Sequence, residues 1–455
     1  MSAAPAAPAA PVRAPSARRA LVAGSVGNFV EWYEFGVYGS FATVIAARFF
    51  TPDGGDRTQA LIATYAAFAI AFFFRPLGAL VFGRLADRAG RRTALVLAVS
   101  LMTGATTLIG VLPAYATAGA VAPWLLTLLR SVQGFSAGGE FGGAVSLLTE
   151  NAPPGRRGRH GAWQSCTVAL GLLTGAGVAA GLATLLSESA LYAWGWRIPF
   201  LLALPLGAVA LSLRLRLPQT ANPGAAAAPA DRGRAGDATP ESADTPGRAH
   251  GRADAPGAAG TARAVVLGVG RIMGWSAAGY TFLVVLPSYL QATLGTTFQQ
   301  ALAATFIANL GFAAAILPAG ALSDRVGRRA VMLAGSVLVI LTAVPVLHVL
   351  RDPGTSVAAK AATLAAAGAM IGLLAGPGPA LLAEMFPTRV RSTGLGLAYA
   401  LSNAVFSGCA GLIVTALVRH TGNPDVPALY AAGACALSLP ALLTLRPDDH
   451  RRPLR

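Results

Sequence analysis

Most of the chain shows neither the alternation of a half-buried strand nor the single apolar stripe of a soluble helix. It consists of runs that are apolar on every side of a helix. Such a helix needs surroundings as apolar as itself, and about 20 residues rising 1.5 Å each cross the hydrocarbon of a bilayer. Twelve stretches meet that length: 21–47, 58–83, 93–113, 119–149, 161–187, 197–215, 264–290, 300–322, 330–350, 361–386, 393–418 and 426–445. The pattern predicts an all-α membrane protein of twelve transmembrane helices with both chain ends on one face.

The polar intervals divide the chain. Residues 216–263 are Ala, Pro, Gly, Asp and Arg without apolar periodicity, and a linker of this kind is expected to be disordered. Residues 1–19 are rich in Ala and Pro and carry Arg13, Arg18 and Arg19. The apolar run after them is too long for a signal peptide and contains Glu31 and Glu34, so a retained, disordered tail is expected. The resulting units are a tail 1–19, a six-span bundle 20–215, the linker 216–263, a second six-span bundle 264–446 and a tail 447–455.

Composition adds what the pattern leaves open. Hydrophobic residues make up 54% and charged residues 12%, about half the roughly 25% of a soluble domain. This excludes an ordinary cytosolic enzyme. A net charge of +16 would point to nucleic acid in a soluble protein, but 26 of the Arg and Lys residues fall on the face that holds the termini. The opposite face has six, namely Arg48, Arg57, Arg197, Arg351, Lys360 and Arg419. By the positive-inside rule both termini and the linker are expected in the cytoplasm, and no nucleic-acid partner is expected. Cys166, Cys409 and Cys435 are scattered within apolar runs. With no His/Cys cluster, nucleophile elbow or phosphate loop, no metal, cofactor or enzymatic activity is expected.

The halves repeat each other. Gly83-Arg-Leu-Ala-Asp-Arg-Ala-Gly-Arg-Arg92 and Gly320-Ala-Leu-Ser-Asp-Arg-Val-Gly-Arg-Arg329 agree at seven of ten positions, each after the second span of its half. Glu150, Pro154, Arg156 and Arg159 are echoed more weakly by Glu384, Pro387, Arg389 and Arg391. The motif G-x-x-x-D-R-x-G-R-R resembles the signature loop of the major facilitator superfamily. That resemblance implies the major facilitator fold, two six-helix bundles with pseudo-twofold symmetry that rock against each other. In so short a loop Gly90 and Gly327 permit the turn, while Gly83 and Gly320 permit close backbone approach. Asp87 and Asp324 are then placed to accept from helix-start N–H groups or from Arg88, Arg91, Arg325 and Arg328, forming a cytoplasmic gate. A purely topogenic loop is the other reading.

Charges also occur inside the spans, where they are expensive and point to function. Glu31 and Glu34 share nearly one face of the first helix, Glu31 about 15 Å deep, and Arg130 of the fourth span reaches similar depth. The three are expected to form a proton-titratable group, with Glu31 held charged beside Arg130 and Glu34, further off, titrating. A structural salt bridge is the other reading. Arg75 and Glu140, both in the inner part of their helices, are expected to pair with each other. Gly372, Gly376, Pro377, Gly378 and Pro379 predict a break in the tenth span, a candidate moving element.

A narrower resemblance rests on Gly27–Gly39, Arg75-Pro-Leu-Gly78, Gln133–Glu140, Trp194–Phe200 and Glu384–Gly394. In order and over nearly the whole membrane portion these are similar to the metabolite:proton symporters, a group that includes transporters of proline and betaine, α-ketoglutarate, shikimate and citrate. Glu34 departs from the Asp common in that group. The fifth span has Gly171, Gly175, Gly177 and Gly181 but no Pro, unlike facilitator-type drug antiporters. The resemblance implies proton-coupled symport of a small organic metabolite by alternating access, with a uniporter, an antiporter or a nutrient sensor as alternatives. Trp32, Tyr33 and Gln133 of the first half and Trp275, Asn309, Tyr399 and Asn403 of the second are the expected cavity wall. Arg271, about 10 Å in, is expected to snorkel to the interface. The expected partners are substrate, protons and the lipid bilayer of a bacterial inner membrane, with a monomer sufficient. A dicarboxylate, an aromatic acid and a betaine all remain open as substrate.

Overall fold

A computed structural model describes residues 17–52, 55–216, 258–388, 390–452 and 454. The side chains of residues 17–24, Asp87, Arg91 and Ala258 also fall outside the description. The expectations for tail residues 1–16 and linker residues 217–257 therefore lie outside the described residues.

The first half runs α1 (Ala17–Ser40), α2 (Arg57–Ala89), α3 (Arg91–Val111), α4 (Val121–Ala137), α5 (Glu140–Glu150), α6 (Arg157–Leu185) and α7 (Arg197–Leu215). The second runs α8 (Ala258–Tyr280), α9 (Leu286–Leu294), α10 (Phe298–Val326), α11 (Arg328–Arg351), α12 (Val357–Ala375), α13 (Gly378–Met385), α14 (Arg391–Ser402), α15 (Ala410–Thr421) and α16 (Val426–Leu443). Among the described residues ten helical segments are long and apolar enough to cross a membrane. The two further expected crossings, α1 and the pair α4–α5, are those that carry Glu31, Glu34, Arg130 and Glu140. Large apolar side chains such as Leu80, Trp124, Leu128 and Leu341 face outward while Glu31, Glu34 and Arg130 are buried, the arrangement of a multi-pass membrane protein. Helix α8 starts six residues before the expected end of the linker. Its Ala-rich opening, Ala258-Ala-Gly-Thr-Ala-Arg263, has helix-forming character that apolar counting overlooks.

Lipid tails are as apolar as leucine, so helices associate here by close packing and hydrogen bonds. Two glycine seams show this. A Cβ at Gly78 would overlap the carbonyl of Phe135, and one at Gly134 would overlap the carbonyl of Ala71, so α2 and α4 touch backbone to backbone. Gly311 and Gly368 do the same between α10 and α12. Each loop after a second span turns on a glycine in a conformation that only glycine adopts easily: Gly90 has φ 91° and Gly327 φ 92°. The tenth span breaks between Ala375 and Gly378, where the Gly-Pro cluster is.

The halves meet at both ends. At the terminal face Arg391 Nη1 lies 2.5 Å from Glu150 and Arg157 Nη1 3.3 Å from Glu384. These bridges are reciprocal, each Arg following the matching Glu of its own half by seven residues. The register thus equates Arg157 with Arg391, whereas the sequence echo matched Arg156 and Arg159 with Arg389 and Arg391. The Asp324 carboxylate accepts from the Gly158 and Arg159 amides at the start of α6, at 2.7 and 2.9 Å, and pairs with Arg328, which also holds Glu384. Arg88 and Arg325 are exposed. At the opposite face Arg419 pairs with Asp56 at 2.7 Å, Tyr65 bonds Ser288 at 2.6 Å and Thr43 donates to Gln291 at 3.0 Å.

Candidate functional site

Between the halves, closed at both ends, lies a cavity of about 30 Å³. On the same measure a water needs roughly 10–15 Å³, so the cavity holds about two waters and no organic solute until its walls part. Trp32, Ser165 and Leu172 line it from the first half; Trp275, Ser276, Tyr280, Phe312, Tyr399, Asn403 and Ser407 line it from the second. Trp32 meets Tyr280 edge-on at 6.0 Å, and Trp275 lies 5.9 Å from Tyr399. The described lining residues carry no formal charge.

Irregular backbone shapes this wall. A π-helical turn, Thr281–Val285, joins α8 to α9, and another, Asn403–Gly408, joins α14 to α15. Leu283, Val284, Asn403 and Ser407 of these turns reach the cavity. A π turn rotates the side chains beyond it and leaves backbone groups to be satisfied, which is why such turns gather at working sites. Asn309 supplies one partner: its amide donates to the Leu283 carbonyl at 3.2 Å and to the Thr305 carbonyl at 3.0 Å. Tyr280 presents a buried hydroxyl without a hydrogen-bond partner among the described residues.

Behind the aromatic wall stand the charges. Arg75 Nη2 lies 2.8 Å from Glu31 Oε1, and the guanidinium covers Phe72 at 4.5 Å, Phe35 at 4.8 Å and Trp32 at 5.7 Å. Trp32 therefore touches the cavity and the ion pair at once. Arg130 stacks over Tyr38 at 4.3 Å and over Phe35 and Phe68 at 4.8 Å, and donates to Gln133 Oε1 at 2.8 Å. Gln133 Nε2 in turn faces Glu34 Oε2 at 3.4 Å and donates to the Thr106 hydroxyl at 2.6 Å. Glu34 has no ion pair among the described residues, and its Oε1 is buried without a hydrogen bond. Glu140 pairs with Arg214 at 2.8 Å.

Several expectations need correction. Arg75 and Glu140 do not pair with each other; each has a different partner, because equal depth along the membrane normal leaves the direction around a helix unspecified. Arg130 belongs with Glu34 through Gln133, and the cation beside Glu31 is Arg75. Tyr33 points away from the cavity and donates to the Pro199 carbonyl at 2.9 Å, and Asn309 braces the π turn instead of lining the wall. Arg271 reaches the end of α16, donating to the exposed Thr444 hydroxyl at 2.8 Å and to the Ala441 carbonyl at 3.2 Å. Trp32, Trp275, Tyr399 and Asn403 do come together. The sequence reading missed Tyr280, Ser165, Ser276 and Ser407, and it counted Arg214 as a topological charge beside the linker. Polar residues four apart, Ser276 and Tyr280 in α8 and Asn403 and Ser407 in the π turn after α14, are the available signal.

The sequence matches the family profile described as sugar (and other) transporter over residues 20–445. It is 35% identical over 451 residues to the ectoine/proline transporter ProP of Corynebacterium glutamicum, covering 96% of this chain and 85% of that protein. It is equally 35% identical, over 402 residues, to the α-ketoglutarate permease of Escherichia coli, covering 88% and 87%. Among solved structures the partially occluded, inward-open xylose transporter XylE of E. coli superposes with a TM-score of 0.68 at 15% identity, covering 94% of this chain and 98% of that one.

Proposed function

The chain belongs to the sugar (and other) transporter family of the major facilitator superfamily, and from that premise we propose that it imports a small zwitterionic solute, of betaine or proline type, together with a proton. It is a secondary transporter, not an enzyme, and works by alternating access. The relatives' names do not choose the solute, since an ectoine/proline transporter and an α-ketoglutarate permease are equally similar. What carries the choice is the aromatic, charge-free cavity wall set directly in front of buried acids. A dicarboxylate would need cations at the wall, yet Arg75 is held by Glu31, and Arg130, which has no ion pair among the described residues, is set back on the rings of Tyr38, Phe35 and Phe68 and does not line the cavity. A quaternary or ring ammonium is instead attracted by the faces of Trp32, Trp275, Tyr280 and Tyr399, and one carboxylate finds donors at Ser276, Asn403 and the free Tyr280 hydroxyl.

Glu34 is the proton carrier in this reading. Glu31 keeps a cation at 2.8 Å, whereas Glu34 reaches Arg130 only through the Gln133 amide, so protonating Glu34 removes a buried charge without breaking a direct ion pair. Loss of that charge lowers the cost of closing the halves around solute. The repeated loops Gly83–Arg92 and Gly320–Arg329 gate the cytoplasmic face, where both termini lie, in a bacterial inner membrane, and one monomer suffices.

Purified protein in proteoliposomes with an imposed inward proton gradient tests this. Labelled glycine betaine or L-proline should accumulate and α-ketoglutarate should not. Glu34→Gln should abolish uphill accumulation while labelled-for-unlabelled exchange continues. Accumulation of α-ketoglutarate instead would overturn the solute assignment, and gradient-driven uptake by Glu34→Gln would overturn the carrier.

A further inference from the structure

One face of α1 carries Gly27, Glu31, Glu34 and Tyr38, spaced by four, three and four residues, so they form a column about 16 Å long. Three arginines from three different helices stand opposite it: Arg214 of α7 over Gly27, Arg75 of α2 at Glu31, and Arg130 of α4 over Tyr38, with Gln133 bridging Arg130 to Glu34. The proposed function uses the upper two levels and leaves the third unexplained. Yet that third level is built. A Cβ at Gly27 would overlap Arg214 Nη2 and come within 3.2 Å of Glu140 Oε2, so the absence of a side chain there is what admits the pair to α1. Arg214 is further fixed by its bond to the Leu95 carbonyl at 2.8 Å, near the start of α3.

We propose that Glu140, paired with Arg214, is the inner relay through which the proton leaves the coupling site for the terminal face. The proposal rests on the assignment of Glu34 as the proton carrier and adds Glu31 as a transient stop on the way out. Exposure rises along the column in the required direction: Glu34 is 1% and Glu31 3% exposed, while the Glu140 side chain reaches 9% beside an Arg214 at 1%. Glu140 is the outermost acid of the column, and Arg214 lies one residue from the end of α7. The groups facing Glu140 are Arg214 and, one turn away on α1, Glu31 with Arg75. Only protons move. The carboxylic O–H of Glu34 breaks, H⁺ passes by way of the Glu31 carboxylate to the Glu140 carboxylate, and from there to bulk water, while Arg75, Arg130 and Arg214 remain protonated throughout. This route runs within the first half and bypasses the solute gate, so the proton leaves without the solute's path having to conduct it.

The test follows the carboxylic C=O infrared band of the purified protein after a rapid pH jump, the band being assigned by its loss in Glu31→Gln and Glu34→Gln. In Glu140→Gln its decay should slow at least about tenfold at unchanged amplitude, and Glu140→Asp should stay within about twofold. Removing Glu140 alone leaves Arg214 buried and unpaired. The double variant Glu140→Gln with Arg214→Gln therefore removes both charges, and it should be as slow as Glu140→Gln. Wild-type decay in the double variant overturns the relay alone, as does equal slowing in Glu140→Asp. A band untouched by both Glu31→Gln and Glu34→Gln overturns the carrier assignment and the relay with it.

Discussion

Aligned on Trp32 with Trp275 and on Gly36 with Gly279, the first helices of the two halves can be compared position by position. Where the first half has Glu31 and Glu34, the second has Gly274 and Ala277. Arg75 corresponds to Phe312 and Arg130 to Leu364, while Gly134 and Gly368 occupy the same place in their respective seams. The scaffold is therefore duplicated and the chemistry is not. The first half holds the buried acids Glu31 and Glu34; the second supplies most of the neutral wall. Two tryptophans at matched positions face one cavity, but only Trp32 has a guanidinium near its ring, at 5.7 Å. In the function proposed above, a solute that touches both tryptophans links a half that recognises it to a half that senses protons.

Separating those two tryptophans breaks the comparison most sharply. Trp275→Ala should weaken apparent affinity for glycine betaine about tenfold or more and leave the pH profile of uptake in place. Trp32→Ala should weaken affinity similarly and shift the pH profile as well, since Arg75 loses a ring beside Glu31. Identical pH profiles in the two variants would refute the division between halves.

A smaller effect is expected at the repeated loops. Their turns match, with ψ 148° at Gly90 and 154° at Gly327, but their surroundings differ. Gly320 is pressed against Gly158 and Ala162, whereas a Cβ at Gly83 meets nothing within 4 Å. Asp324→Asn keeps hydrogen-bond acceptance but loses the charge that faces two helix-start amides and Arg328, so turnover should change by about tenfold with affinity within a few-fold. Gly320→Ala should impair transport and Gly83→Ala should not. Equal sensitivity at Gly83 and Gly320, measured as initial uptake rate, would mean the loops act alike.

The smallest effect belongs to the opposite face. Asp56 is held below the usual carboxylate range by the Thr58 and Gln59 amides and, to a lesser degree, by Arg419. A depressed folded-state value means its contribution is fully present at neutral pH and lost only as pH falls through the acid range. Arg419→Gln breaks an exposed, solvent-screened pair and should leave the shape of the uptake profile between about pH 6 and 8 unchanged. A changed shape there would place a titrating group at this latch.

Hydropathy located the spans because lipid solvation acts on every side chain of a helix, and repetition located both loops because the same turn had to be encoded twice. The Gly-Pro cluster marked the break in the tenth span for the same local reason. Pairing was not legible. Depth counting places Glu31, Arg75, Arg130 and Glu140 along the normal but not around it, and only the packed structure shows Arg75 reaching Glu31. Arg214 escaped notice because a charge next to a basic linker looks like topology until its side chain is seen turning inward. Tyr280 was hidden among apolar neighbours, its exposure to the cavity depending on the adjoining π turn.

The glycine seams impose an order of assembly. Each joins helices that are not consecutive, α2 with α4 and α10 with α12, and a seam made of backbone against backbone can form only when both partners are in the bilayer. During span-by-span insertion α3 must enter and be laid aside before the Gly78 face of α2 meets Gly134, and α11 likewise before Gly311 meets Gly368. Arg75, three residues from Gly78, and Arg130, four from Gly134, reach their final spacing in that same event. The levels at Glu31 and Glu34 are thus completed when the fourth span arrives, whereas Glu140, which enters with that span, waits for Arg214 until the sixth is in place.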